Sequence, residues 1–228
     1  GCKVVYVTSP LDCDAVGCAA EKHKVTILLA TPTFMQAYMR KCKPEQFQHL
    51  RLAIAGAEKL RTDISAKFSD ISLGQRALIE GYGCTELSPI VSINVGSSIL
   101  DLGKVAGKPG SIGSAMPGIC VKIVDPVSRE MLPPDTEGLM LVKGPIVMQG
   151  YLDEPKLTAE AIRDGWYNTG DIAKMDVDGY ITICGRVSRF SKIAGEMVPH
   201  ELVECTINEI LGLDERVAAV CGIPDASK

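Results

Sequence analysis

The chemistry of this chain concentrates in one stretch, Glu80-Gly81-Tyr82-Gly83-Cys84-Thr85-Glu86. It brings together two carboxylates, two glycines, an aromatic ring and a hydroxyl. The glycines let the backbone turn sharply or approach a ligand closely. Tyr82 offers a flat stacking face. Thr85 can donate to a phosphate oxygen, and Glu86 is a hard oxygen ligand suited to magnesium. Together these suit a nucleotide phosphate with its metal. Alone, the stretch also reads as a glycine turn with a solvated Thr-Glu pair.

Three further stretches could join it. Ala55-Gly56-Ala57-Glu58 follows a strand, where small residues let a planar ligand lie against the backbone; taken alone, a simple strand-to-helix turn is the plainer reading. Trp166-Tyr167-Asn168-Thr169-Gly170-Asp171 places the sole tryptophan beside a turn ending in Asp171, whose carboxylate can accept from two ribose hydroxyls. A hairpin turn is the plainer reading. Gly185 to Glu196 carries Arg186, Arg189 and Lys192, cations that can meet phosphate or face solvent. No G-x-S-x-G elbow, Walker A or G-x-G-x-x-G motif occurs, and His23, His49 and His200 sit in ordinary contexts.

These stretches need elements to hold them. Leu11 to Lys24 reads as a helix with Asp12 or Asp14 near its start. Val25 to Ala30 is a continuous apolar run, as in a parallel strand buried on both faces. Thr31 caps a helix that Pro32 opens and that runs to about Cys42. Leu52–Ala55 and Ala77–Ile79 are further strands around a helix from Arg61 to Phe68, and Ile90–Val95 is a fourth strand. This alternation predicts a parallel α/β layer over residues 1–97. Residues 98–187 change character: Ile119–Val124, Leu139–Val142, Ile172–Met175 and Tyr180–Cys184 are short β runs between turn signals, with one helix at Lys156–Arg163. They predict a small β-rich barrel. Residues 188–228 hold a helix from Pro199 to Leu211, apolar at Leu202, Val203, Thr206, Ile207 and Ile210, then a strand at Arg216–Gly222. That is too little for an independent core, and both ends read as cuts through a longer protein.

Composition narrows the classes. Of 228 residues 46% are hydrophobic and 23% charged, enough for a sizeable core. The net charge of -4 gives no reason to expect nucleic-acid binding. Nine cysteines, an odd number with several inside apolar runs, read as free thiols in a reducing compartment. Three histidines and no C-x-x-C pair argue against zinc. No apolar run approaches the roughly 20 residues that span a bilayer.

The order of these stretches resembles the adenylate-forming superfamily: acyl-CoA synthetases, luciferases and peptide-synthetase adenylation domains. Ala55–Leu60 is similar to its adenine-side loop, Tyr82–Glu86 to its Y-G-x-T-E core, and Trp166–Asp171 to W-x-x-T-G-D. Lys108–Gly113 and Gly144–Tyr151 match signature stretches between them, and Gly185-Arg186 matches the G-R before the hinge. Gly185 to Val198 is also similar to the acyl-[acyl-carrier-protein] synthetase half of the 2-acylglycerophosphoethanolamine acyltransferase type. The usual hinge reads G-R-x-K-[DE]; Ser188 and Arg189 stand in those places.

The resemblance implies a fold of parallel α/β layer, β-barrel-like part and the start of a C-terminal α+β part. It implies ATP and Mg2+ as cofactors, a fatty acid as substrate, and the phosphopantetheine of acyl carrier protein, or coenzyme A, as thiol acceptor. By position, Ala55, Gly56, Ala57, Glu58, Gly81, Tyr82, Gly83, Cys84, Asp171 and Arg186 would bind nucleotide. Thr85, Glu86 and Arg186 would serve catalysis, Glu86 would hold the metal, and Gly195 would lie along a thiol tunnel. No H-x-x-x-x-D acyltransferase signature is present. The phosphate loop is expected before Gly1 and the catalytic lysine after Lys228, so the isolated chain is expected to be inactive. The whole enzyme would work at the cytoplasmic face, reaching the inner membrane only through segments outside this sequence. A long-chain fatty acid–CoA ligase and a non-catalytic nucleotide-binding module are the alternatives.

Overall fold

The computed structural model describes residues 1–71, 78–95, 107–193, 196–212 and 217–223. Helix α1 (Cys13–Lys22) starts where the Asp12 carboxylate accepts from the Ala15 amide. Helix α2 (Pro32–Lys41) starts at Thr31, whose hydroxyl accepts from Phe34, with Pro32 fixing the first turn. With α3 (Thr62–Ile71) they alternate with strands β1 (Ile27–Ala30), β2 (Leu52–Ala55) and β3 (Leu78–Gly83), which run parallel. Met35, Tyr38, Phe47, Ile64 and Phe68 pack the helices against Ala53 and Leu78 of the strands.

The expected parallel α/β layer forms at β1–β3, and two details differ from a wholly parallel, doubly covered sheet. Strand β4 (Ile90–Ile93) runs antiparallel to β3, because the short link through a 3-10 turn at Thr85–Leu87 can only reverse the chain. The β5 strand (Ser114–Ala115) then pairs with β4, so the five-stranded sheet is mixed. Strand β1 is also not buried on both faces: Ile27 and Leu29 are 48% and 64% exposed. The three helices cover one face, and the other is open among the described residues.

Strands β6 (Cys120–Val124), β7 (Gly138–Lys143), β9 (Trp166–Met175) and β10 (Ile181–Arg186) form a curled antiparallel sheet in the order β10-β9-β7-β6. Helix α4 (Pro155–Ala161) and the short β8 (Ile162–Arg163) flank β9. The two sheets share a core of Leu87, Val91 and Ile112 against Met140, Val142 and Ile181. Gly113 bridges to Ile181, and the Ser92 hydroxyl donates to the Ile112 carbonyl at 2.8 Å.

A hairpin of β11 (Phe190–Ile193) and β12 (Glu196–Pro199) leads into α5 (His200–Leu211). The expected apolar face of α5 turns inward only in part, with Val203 and Ile207 half-buried. Leu202 and Ile210 are exposed, whereas Glu204 is 1% exposed. Glu204 accepts from the Arg189 guanidinium and from the Val220 amide at 2.7 Å, and these bonds fix the helix rotation. The strand expected at Arg216–Gly222 is not formed by residues 217–223. The Val217 and Val220 amides donate to the Asn208 and Glu204 side chains instead of to a partner strand.

Candidate functional site

Asp171, 3% exposed, lines a cavity of about 280 Å³ between the two sheets. The expected turn at Trp166–Asp171 is in fact the first half of β9. Between Leu139–Ile172 and Leu141–Asn168, β7 advances two residues while β9 advances four. The excess is a bulge at Thr169-Gly170-Asp171. Gly170 turns it with a φ of +71°. The Thr169 hydroxyl donates to the Met140 carbonyl at 2.9 Å and accepts from the Asp171 amide at 3.1 Å. The bulge thereby turns Asp171 toward β3 and β10.

Two partners hold the carboxylate there. The Tyr82 hydroxyl donates to Oδ2, and Arg186 Nε donates to Oδ1 at 2.8 Å. Burial, then Asp171, raises the Tyr82 pKa, so its phenol stays a donor. The neighbouring Asp171 raises that of Arg186, which stays a cation. Of the residues expected to bind nucleotide, Ala57, Glu58, Gly81, Tyr82, Gly83, Asp171 and Arg186 line this cavity. Ala55 instead lies in the helix-side core. Gly83 is dictated by packing: an added Cβ would stand 1.7 Å from the Pro89 carbonyl oxygen.

Thr85 and Glu86 begin the 3-10 turn after β3 and do not line the cavity. Thr85 is exposed. Glu86 accepts from the Tyr151 hydroxyl at 3.0 Å, and the Met148 amide donates to its carbonyl at 2.9 Å. Its own backbone amide, with help from Tyr151, holds the Glu86 carboxyl below the usual range. Burial first and then Glu86 push the Cys84 thiol up to about 11. An ionised carboxylate with oxygen exposed to solvent suits Mg2+, which takes one or two carboxylates and completes its shell with phosphate and water. Gly195 lies outside the described residues.

Thr169, Tyr151 and Glu80 have site roles that the sequence did not assign, and Arg189, a candidate phosphate cation from sequence, has a second partner in Glu204. Thr169 builds the bulge. Tyr151 holds Glu86. Glu80 lines the cavity, accepts from the Leu60 amide at 3.2 Å, and has its pKa raised by burial. Arg189 lines the same cavity and reaches Glu204 of α5. Glu80 and Thr169 carry local signals within the Glu80–Glu86 and Trp166–Asp171 stretches, and Arg189 reads from sequence as a cation able to meet phosphate.

Ala57 and the strand Gly81–Gly83 also form the wall of a second cavity, on the open face of the first sheet. It measures about 470 Å³ and is apolar, bounded by Leu29, Phe34, Tyr38, Ile54, Ile90 and Ile93. Phe34 and Tyr38 reach it from α2, and the exposed Leu29 opens it to solvent.

A mixed sheet joined to a curled antiparallel one, with a buried aspartate between them, defines an adenylate-forming fold. The model of the AMP-binding enzyme family matches residues 1–152, and the chain belongs to that family. Feruloyl-CoA synthase from Amycolatopsis sp is 34% identical over 224 residues, covering 97% of this chain and 43% of that protein. Long-chain-fatty-acid--CoA ligase from Salmonella typhimurium is 32% identical over 225 residues, covering 98% of this chain and 38% of that protein. The chain thus spans about two fifths of the length of these curated relatives. Among solved structures, ATP-bound MatB from Rhodopseudomonas palustris is 29% identical with a TM-score of 0.74, covering 95% of this chain and 41% of that one. O-succinylbenzoate Coenzyme A Synthetase from Bacillus subtilis, in complex with AMP, shares the fold at a TM-score of 0.76 and 22% identity, covering 95% of this chain and 42% of that one. Among the described residues no helix is long and apolar enough to cross a membrane.

Proposed function

We propose that the chain is part of an ATP-dependent acid–thiol ligase that activates an apolar carboxylic acid as its acyl-adenylate. One observation carries this reading: a single glycine-rich strand, Gly81–Gly83, separates a polar cavity holding Asp171 and Arg186 from an apolar one. A ligand with a nucleotide end and an apolar acyl end, joined at the strand, matches that division. Asp171 accepts the ribose hydroxyls, Arg186 fixes Asp171 and faces the ligand, and the Tyr82 ring lies against adenine.

In the first step the acid's carboxylate oxygen attacks the α-phosphorus of ATP. The bond to the bridging oxygen breaks and pyrophosphate leaves. In the second, a thiol sulfur attacks the acyl carbon, the bond to AMP breaks, and the thiol proton passes to solvent. Mg2+ held by Glu86 would offset the repulsion between carboxylate and triphosphate. The relatives' names support coenzyme A as the thiol. The resemblance at Gly185 to Val198 supports acyl carrier protein as the other acceptor.

Binding of non-hydrolysable acyl-sulfamoyl adenosines to the chain tests the reading. An apolar acyl arm is expected to tighten binding about tenfold or more over the sulfamoyl adenosine alone, at roughly 25 cal/mol per Å² of apolar surface buried. Equal affinity with and without the arm would exclude a shared ligand. Pyrophosphate release by the full-length protein, with each thiol in turn, then names the acceptor.

A further inference from the structure

The face of β9 opposite Tyr167 and Thr169 carries a second polar feature. Residues alternate along a strand, so Trp166 and Asn168 point away from the buried Tyr167 and Thr169. They line a hollow of about 180 Å³ that shares no residue with the nucleotide cavity. Lys122, Arg129 and Arg163 stand on its rim. Lys122 Nζ lies 4.1 Å from the Trp166 ring centroid, and Lys143 Nζ lies 5.8 Å from it. Two ammonium groups thus meet one indole, whose π face offsets part of their repulsion.

Among the described residues none of these four cations forms an ion pair. Lys143 donates to the Asp164 carbonyl at 3.0 Å, a bond that leaves its charge uncompensated. Glu160 and Asp164 stand on the α4 side of the rim and pair with none of them. The rim therefore carries three cations against two carboxylates, with a fourth cation beside it, in a chain whose net charge is -4. Such a surplus in a recess focuses a positive potential.

We propose that the Trp166 hollow binds the phosphate group of a small hydroxylated phosphate monoester. The cations take the phosphate oxygens. The small surplus of charge favours one phosphate over a polyphosphate, which Glu160 and Asp164 repel. The same carboxylates accept from hydroxyls on the alcohol, and the indole forms an apolar floor beneath its carbons. The same phosphate chemistry occurs on soluble esters and on lipid headgroups.

Trp166 is the sole tryptophan, so its fluorescence and indole N–H resonance report on this hollow alone. Glycerol 3-phosphate, titrated into the chain at constant ionic strength, is expected to shift both saturably. Vesicles of phosphatidylcholine with phosphatidic acid form the second arm, and the arm that saturates identifies the source. Lys122→Met with Arg163→Gln is expected to weaken the response about tenfold or more, at the strength of charge-assisted hydrogen bonds. Lys122→Arg keeps it, as does Arg186→Gln in the nucleotide cavity. No saturable shift in either arm, or equal saturation in the Lys122→Met, Arg163→Gln variant, would overturn the proposal.

Discussion

The Tyr82 hydroxyl donates to the Asp171 carboxylate across 89 residues of chain, linking β3 of the mixed sheet to β9 of the curled one. Tyr82 belongs to β3 and Asp171 to the bulge of β9, so the bond exists only when both sheets are formed and docked. Tyr82→Phe keeps the ring and removes the donor. A buried carboxylate left short of a partner costs about 1–3 kcal/mol. Urea unfolding should show that loss, and binding of a fluorescent ATP analogue should weaken; an unchanged midpoint and affinity would contradict the role given to this bond.

Arg186→Gln removes the cation beside Asp171 without adding bulk. Nucleotide affinity is expected to fall about tenfold, as for one charge-assisted hydrogen bond. Titration of the ATP analogue against the variant measures it. Unchanged affinity would remove Arg186 from the site.

Thr169→Val keeps shape and loses the hydroxyl that joins the Met140 carbonyl to the Asp171 amide. The expected cost is about 1–3 kcal/mol, with nucleotide affinity falling alongside because Asp171 is no longer aimed. Thr169→Ser should restore both. Loss of stability with affinity intact would mean that the bulge holds the strand but does not aim the carboxylate.

Gly83→Ala tests the contact with Pro89. The added carbon cannot fit beside the carbonyl oxygen, so β3 and β4 must separate. Destabilisation of about 2 kcal/mol or more is expected in urea unfolding. A variant as stable as the parent would show that the link from Thr85 to Pro89 yields freely.

The acid limb of stability should carry Glu86. Its folded pKa lies below the unfolded value, so the unfolded state binds more protons as pH falls. Its contribution is complete above the unfolded pKa of about 4.3 and is lost as pH drops through the folded value. Glu86→Gln should flatten that part of the stability profile and weaken magnesium-dependent turnover in the full-length protein. A profile unchanged below pH 5, within roughly the titration range of an ordinary carboxylate, would mean that Glu86 gains nothing from its own amide and Tyr151.

Local signals were sufficient for much of the frame. Thr31-Pro32 marked the start of α2, and the apolar runs at Leu52–Ala55 and Leu139–Val142 lie within or along strands of the structure. These features depend on neighbours close in sequence: a cap, a proline, a period of apolar residues. The Thr169-Gly170-Asp171 run was legible as a polar turn because glycine with a carboxylate looks alike in a turn and in a bulge. Only the register against Met140 on β7 distinguishes them. The rotation of α5 was likewise hidden, since Arg189 and the Val220 amide, not its own apolar stripe, hold Glu204 inward.

By itself the sequence determined the helices, the longer strands and the residue types suited to a nucleotide, because these are written in short-range pattern and side-chain chemistry. Tertiary structure alone decided that β4 reverses, that Asp171 meets Tyr82 and Arg186, and that Gly81–Gly83 divides a polar cavity from an apolar one. Those facts depend on which strands pair and in what register, a choice made by burial across the whole molecule rather than by any one segment.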